Sequence, residues 1–484
     1  MKNKKLVTVF LVILLTPFVL SRAYAEEECK AESKWFPKTP MDLSLKLDPK
    51  DDCGFYKWAW QTFLYVMQTG KKNPDTPRFL KFDTPSTLFG SNATPQFFSL
   101  AFDKIEHDNI LLLTPRVAKD KDPIDVEDIL QADNGIVIDQ SGRPLYYASH
   151  LNNTYFEFID SNGYTAPENV KNAPPTQEFP RGTLELKSSW KVVSNTETES
   201  THFITTAKLP WLKNGLDGKL EIDRSKDAYS AKVALVGLHI VGVIDGHPEF
   251  VWATFEHSSN TPPVNFKPED DWEKHKEEVI DPVNNWTFYA KGTPYKDCNI
   301  KGKNTLKLAD IEKQTFNPPF TQICRTFKIE DPAVISLNKD VKEKLKDSVL
   351  KNYELEGGVW FNQPDKDFKE GLDFSSVFEN GKNQNGEVVY GGEINLTNST
   401  METFTQGTPQ QNKNAPQNCF GCHTTDKKPV RHTNIQFPAI RLGVSHFLVN
   451  SFAYPKQIEI MNLNLEGLAK PTKTNEISGS KKRK

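Results

Sequence analysis

The sequence predicts an α+β fold, a mainly β amino-terminal and central region followed by a carboxy-terminal helical and loop segment. Three observations point there. Short strand-like runs separated by Asn, Gly, Asp and Pro clusters fill the middle of the chain, an aromatic helix precedes them, and a Cys-x-x-Cys-His motif at Cys419, Cys422 and His423 follows a polar stretch at 410–418. With 25% charged residues, 11% aromatics and a net charge of -3 over 484 residues, the composition is that of a folded globular protein. It excludes collagenous, disordered and coiled-coil classes, and the near-neutral charge gives no reason to expect a nucleic-acid partner.

The chain opens on Lys2, Lys4 and Lys5, continues with an apolar run over 6–20, and reaches Ala23 and Ala25 in a small-x-small arrangement. That order predicts a signal peptide at 1–25. The run of about 15 apolar residues is shorter than the ~20 that span a bilayer, so the mature protein is expected to be exported to the periplasm with no stable membrane span. A β-rich domain is expected over 26–397, a cytochrome c haem-binding segment over 398–470, and a basic flexible tail over 471–484.

The run over 54–69 places apolar residues at helical spacing and predicts a buried helix. Strands are expected over 110–113, 145–148, 183–193 and 202–206. The strongest strand signal is the pair 233–243 and 249–257, apolar on both faces and joined through Asp245-Gly246, which predicts a buried hairpin. A regular register centred on that turn sets His239 opposite Trp252, with His257 on the other face. His239, His247 and His257 invite a metal reading, but opposite faces argue against a shared ion, and buried hydrogen-bonded histidines are expected instead. Glu256 in a buried strand requires a partner, whether a histidine, an arginine or a cofactor edge. An exposed amphipathic helix is expected over 339–354, loops and short strands over 360–395, and a capping box at Ser399–Glu402 that starts a short helix running to 406.

Six cysteines fall into three sequence-local pairs. For an exported chain, Cys29 with Cys53 and Cys298 with Cys324 are expected disulfides, each worth about 3 kcal/mol by loop-closure entropy. The third pair, Cys419 and Cys422 followed by His423, has the spacing that attaches haem c: two thioethers and an axial imidazole reach one porphyrin. A thioredoxin-like site would sit near a βαβ pattern, and a zinc site would need a second ligand pair where only His432 is near. The second axial ligand is expected to be His446, with Met461 as the alternative, and an open sixth position would permit peroxide or gas chemistry.

Together these segments resemble one family, the exported monohaem cytochrome c family proteins of bacteria. The resemblance rests on the aromatic helix from Phe55 to Phe63, the hairpin pieces Val236–Gly242, Gly246–Glu249 and Trp252–His257, the stretch Asn398–Phe404, the motif Asn418–His423, and Ser445-His446-Phe447. It implies a periplasmic haem protein and leaves the reaction open. The extension beyond 455 departs from that pattern and leaves Met461 as a competitor for the iron. Single-electron transfer to a periplasmic redox partner is the leading expectation. The alternatives are a haem enzyme of peroxidase or oxidase type, with His239, Glu256 and His257 as candidate catalytic groups, and a haem-based sensor.

Overall fold

The computed structural model describes residues 28–36, 52–70, 75–85, 88, 111–112, 114–115, 135–194, 197–215, 220–223, 225–266, 272–300, 307–326, 328–372, 374, 382, 385–405, 419–429 and 436–453. The expected signal peptide, the basic tail, His432 and Met461 lie outside them. The centre is a mainly antiparallel sheet whose strands are β1 (Leu111–Leu112), β2 (Thr114–Pro115), β3 (Tyr146–Leu151), β4 (Leu184–Val192), β5 (Ile204–Leu209), β6 (Tyr229–Ile244), β7 (His247–His257), β8 (Tyr353–Phe361) and β9 (Tyr390–Gly392). Their order is β9-β8-β7-β6-β4-β3-β2, with β5 paired to the amino-terminal part of β6 and β1 running parallel to β5.

Antiparallel sheets commonly bury one face, whereas β6 and β7 are apolar on both because both are covered. On the first face Leu238, Ile240, Ala253 and Phe255 pack under α1 (Asp52–Val66). This helix is apolar nearly all round, as a helix inside a core must be. Phe55 stacks on Trp360 at 3.9 Å, Phe63 stacks on Phe255 at 4.3 Å, and Trp60 Nε1 donates to Asn338 Oδ1 at 2.8 Å. The Cys29–Cys53 disulfide ties the start of the helix to the preceding segment, and Cys298–Cys324 closes a second loop. Both bridges are as expected and are compatible with an extracytoplasmic protein. On the second face Val241, Val243, Trp252, Val359 and Phe361 share a core with α2 (Asn153–Ser161) and with Phe420, Phe437, Leu442, Val444 and Leu448 of the carboxy-terminal segment.

The hairpin turn forms at Asp245-Gly246, where Gly246 takes φ 77° and Ile244 pairs with His247. Its register is not regular. Between the pairs Ile244↔His247 and Gly242↔Val251 the second strand carries extra residues, and His239 faces Thr254 while Val241 faces Trp252. The bulge puts Phe250 at φ 73°, where its ring stacks on Phe179 at 5.1 Å. It also puts the Glu249 carboxylate where His247 Nδ1 and Phe361 N both reach it, at 2.9 and 3.0 Å. Sequence periodicity carries no sign of a bulge.

Three other elements differ from expectation. The helix expected over 339–354 is α3 (Pro332–Lys344), started by Asp331, whose side chain accepts from Ala333 N at 2.7 Å, with Pro332 in its first turn. Residues 353–361 are instead β8, because Tyr353, Leu355 and Trp360 fill the core under α1. At the sheet edge Gly392 has φ 74°, and a Cβ there would lie 2.1 Å from Gly358 O. The segment from Ser399 to Thr405 is a series of turns, not a helix. Asn398 is its cap: its Oδ1 accepts from Thr400 N at 2.9 Å, and Glu402 Oε2 accepts from Asn398 N at 3.0 Å. No helix among the described residues is long and apolar enough to cross a membrane.

Phe255 has no exposed surface and joins Trp60 and Phe63 across the first face. Phe255→Ala is expected to lower unfolding free energy by about 3–5 kcal/mol in urea titrations. A loss under ~1 kcal/mol would mean that α1 does not lock the sheet.

Candidate functional site

The cysteine motif forms α4 (Cys419–Cys422), a single helical turn closed by His423 N donating to Cys419 O at 2.9 Å. Spacings of three and four residues put both thiols and the imidazole on one side of that turn. Phe420 is the anchor. It is fully buried, stacked on Tyr390 at 5.2 Å and packed 4.6 Å from Phe361, so the motif is seated on the ends of β8 and β9.

His423 Nδ1 donates to Val444 O at 2.7 Å, which leaves Nε2 with its lone pair. The Trp252 ring lies 4.2 Å from the His423 ring, and the buried Trp252 Nε1 has no hydrogen-bond partner. His446, which starts α5 (His446–Ala453), stacks on the His423 ring at 3.7 Å and 13°. His446 Nε2 donates to Cys422 O at 3.1 Å. The sequence placed His446 across an iron from His423; the structure places the two rings side by side.

β4 supplies a charged floor. Glu185 and Lys187 pair with Val241 and His239, so they share the face that carries the motif. Ser445 Oγ donates to Glu185 and lies 2.9 Å from Tyr155 Oη. His239 bridges Thr254 Oγ1 at 2.9 Å and Glu402 Oε1 at 3.0 Å. Lys428 Nζ donates to Gly443 O at 3.2 Å.

No family, no curated protein and no solved structure matches this chain. The site is therefore read from its own geometry.

Burial dominates its electrostatics. It pushes Glu185 up to about 8 against the Ser445 hydrogen bond. It brings Lys428 down to about 8 and His446 to about 3, the latter helped by the charge of Lys428. His423 is held well below the usual imidazole range by burial and then by His446. Burial alone would raise Glu402, but the charge and hydrogen bond of His239, with Lys187 beyond, outweigh it and hold the carboxyl low. The Cys419 thiol is pushed well above its ordinary value by burial and by Glu402.

The three sequence candidates part company. His239 belongs to the motif face through Glu402. Glu256 also faces that way but is walled in: Ser399 N and Asn260 Nδ2 donate to it at 2.5 and 3.2 Å, and the Arg325 charge opposes the rise that burial imposes on it. Its partners are thus an arginine charge, a backbone amide and the Asn260 side chain, and it anchors the turn that carries Glu402. His257 lies on the other face, stacked on His202 at 3.7 Å. His247 is buried against Glu249. Sequence reasoning missed Glu185, Lys187 and Lys428; polar residues alternating in the apolar run over 184–192 were the available signal.

The raised Glu185 gives a pH prediction. Its folded value lies above its unfolded one, so its stabilising share is complete below about pH 4.5 and lost as pH rises through about 8. Glu185→Gln is expected to flatten the stability profile between those limits relative to wild type, as read by urea midpoints. Parallel profiles would show that Glu185 is ionised in the folded protein.

Proposed function

We propose that this chain is an exported c-type cytochrome, akin to the monohaem family it resembles, that carries one haem on Cys419 and Cys422 with His423 as axial ligand and transfers single electrons in the periplasm. The observation that carries the reading is the His423 ring. A metal-binding histidine characteristically donates its other ring N–H to a carbonyl, and the Val444 bond at 2.7 Å does this while leaving Nε2 free to ligate. The two thiols sit on the same helical turn, and the unpartnered Trp252 Nε1 beside the ring suits a site built for an added polar group. When bound, the haem supplies the one-electron carrier.

The chain's own residues divide the remaining work. Phe420 fixes the turn to the sheet, Val444 sets the His423 tautomer, and Trp252 covers the ring face. Lys187 and Lys428 bring positive charge to the floor, and Glu402, hydrogen-bonded to His239, opposes it. His446 is the opposite ligand in this reading, and taking that role would exchange the bond of its Nε2 to Cys422 O.

One observation favours a haem enzyme as the second reading. The His239–Glu402 pair is a positioned imidazole and carboxylate whose charge is felt at Cys419.

The test is expression with a haem-maturation system, purification from the periplasm, and acid-acetone extraction followed by a pyridine haemochrome spectrum. Wild type should retain its haem, and the Cys419→Ser, Cys422→Ser double variant should release all of it. A folded, exported wild type with no covalent haem would sink the proposal. Indifference of the reduced protein to carbon monoxide is expected for electron transfer; carbon monoxide binding would favour the enzyme.

A further inference from the structure

β4 ends in Trp190-Lys191-Val192, and all three residues are buried. Lysine is almost never fully buried unless paired. Lys191 meets two carboxylates: its Nζ donates to Glu197 Oε1 at 2.5 Å and lies 3.4 Å from Asp139 Oδ2. Both carboxylates are buried as well. The three groups come from separate stretches, the turn at 139–143 before β3, the end of β4 and the segment that follows it.

The two carboxylates are held differently, and the difference assigns their roles. Glu197 Oε2 accepts from Ser194 N and Ser194 Oγ, each at 2.7 Å, while Oε1 takes a hydrogen of Lys191. That is the placement of a base against an amine. Asp139 Oδ1 accepts three hydrogen bonds, from Ser141 N at 2.9 Å, Ser141 Oγ at 2.6 Å and Arg143 N at 3.0 Å. Asp139 Oδ2 is buried and accepts none among the described residues. An oxygen with three converging donors is set to hold negative charge that develops on it. The unpartnered oxygen, which faces the amine, is set to leave. Cγ lies one bond from it, and groups held this close react as parts of one molecule with a large entropic advantage.

We propose that Lys191 and Asp139 condense into an intramolecular isopeptide bond, with Glu197 as the catalytic base and acid. Glu197 takes a proton from Lys191 Nζ, and the freed amine attacks Asp139 Cγ. The Nζ–Cγ bond forms and the Cγ–Oδ2 bond breaks. Two ammonium hydrogens, carried by Glu197, end on Oδ2 and depart with it as one water. Nothing is oxidised or reduced, and no co-reactant enters. Oδ1 stays on its three donors as the amide oxygen. A cavity of about 630 Å³, lined in part by Ser141, Lys191 and Glu197, gives the departing water an exit. Burial of the amide then opposes hydrolysis. The bond fastens the turn before β3 to the end of β4 and is independent of haem attachment.

The test is tryptic peptide mapping by mass spectrometry of the whole exported chain, denatured and with its disulfides reduced. The peptide that contains Asp139 is expected to be joined to the one that contains Lys191, one water lighter than their sum, with no cleavage after the acylated Lys191. Lys191→Arg and Asp139→Ala should abolish the joined species. Glu197→Gln, which keeps the side chain's shape and removes the base, should give the two peptides separately. The Cys419→Ser, Cys422→Ser variant should keep the bond, so a failed haem reading leaves it untouched. Circular dichroism reports whether each protein is folded. Separate peptides from folded wild type would overturn the proposal whatever the variants do, as would a linkage of Lys191 to Glu197 or an undiminished Asp139 linkage in Glu197→Gln.

Discussion

The hairpin of β6 and β7 is buried on both faces, and that constraint organises the molecule. A two-sided apolar ribbon must be covered twice. One cover is α1 with α3, stacked through Phe55, Trp60 and Phe63. The other is assembled from α2 and the distant carboxy-terminal segment, whose Phe420, Leu442 and Val444 enter the same core as Trp252 and Val359. The cysteine turn is thus held in place by the burial of its own Phe420. Position and stability come from one side chain, so the chemistry of Cys419, Cys422 and His423 is tied to the folding of the sheet beneath them.

Glu185, His239 and Glu256 survive burial on this second face because each has a partner. Glu185 takes Ser445, His239 takes Glu402 and Thr254, and Glu256 takes Ser399 and Asn260. Buried polar networks that are fully satisfied rigidify their surroundings. Here they fix the turn at 398–405 against the strands and set Glu402 near Cys419.

Much of this was legible in the sequence where one local rule decides the outcome. Helical spacing marked α1, the Asp-Gly pair marked the turn, and short separations marked both disulfides. Legibility failed where long-range packing decides. The strand nature of Tyr353 and Glu354 depends on a sheet edge that no local pattern shows, and α3 begins at Pro332 because Asp331 caps it. At the site, the motif residues and His239 could be named in advance. The pairing of His202 with His257 could not, since it joins positions 55 residues apart through a stack visible only after folding.

The bulge at 248–250 has a consequence for how this hairpin can change over time. Side chains alternate with a period of two, so a strand offset by an even count keeps its inward and outward sets, and an odd one exchanges them. The observed offset is even: His239 meets Thr254 where the unbulged register would give Trp252, and both of those residues stay on the motif side. A single residue gained or lost here and not absorbed by the bulge would carry His257 to the motif face and turn Trp252 toward α1. Length variation between Gly246 and Trp252 is consequently compatible with this core only where the bulge or the turn takes it up and leaves Trp252 on the motif side.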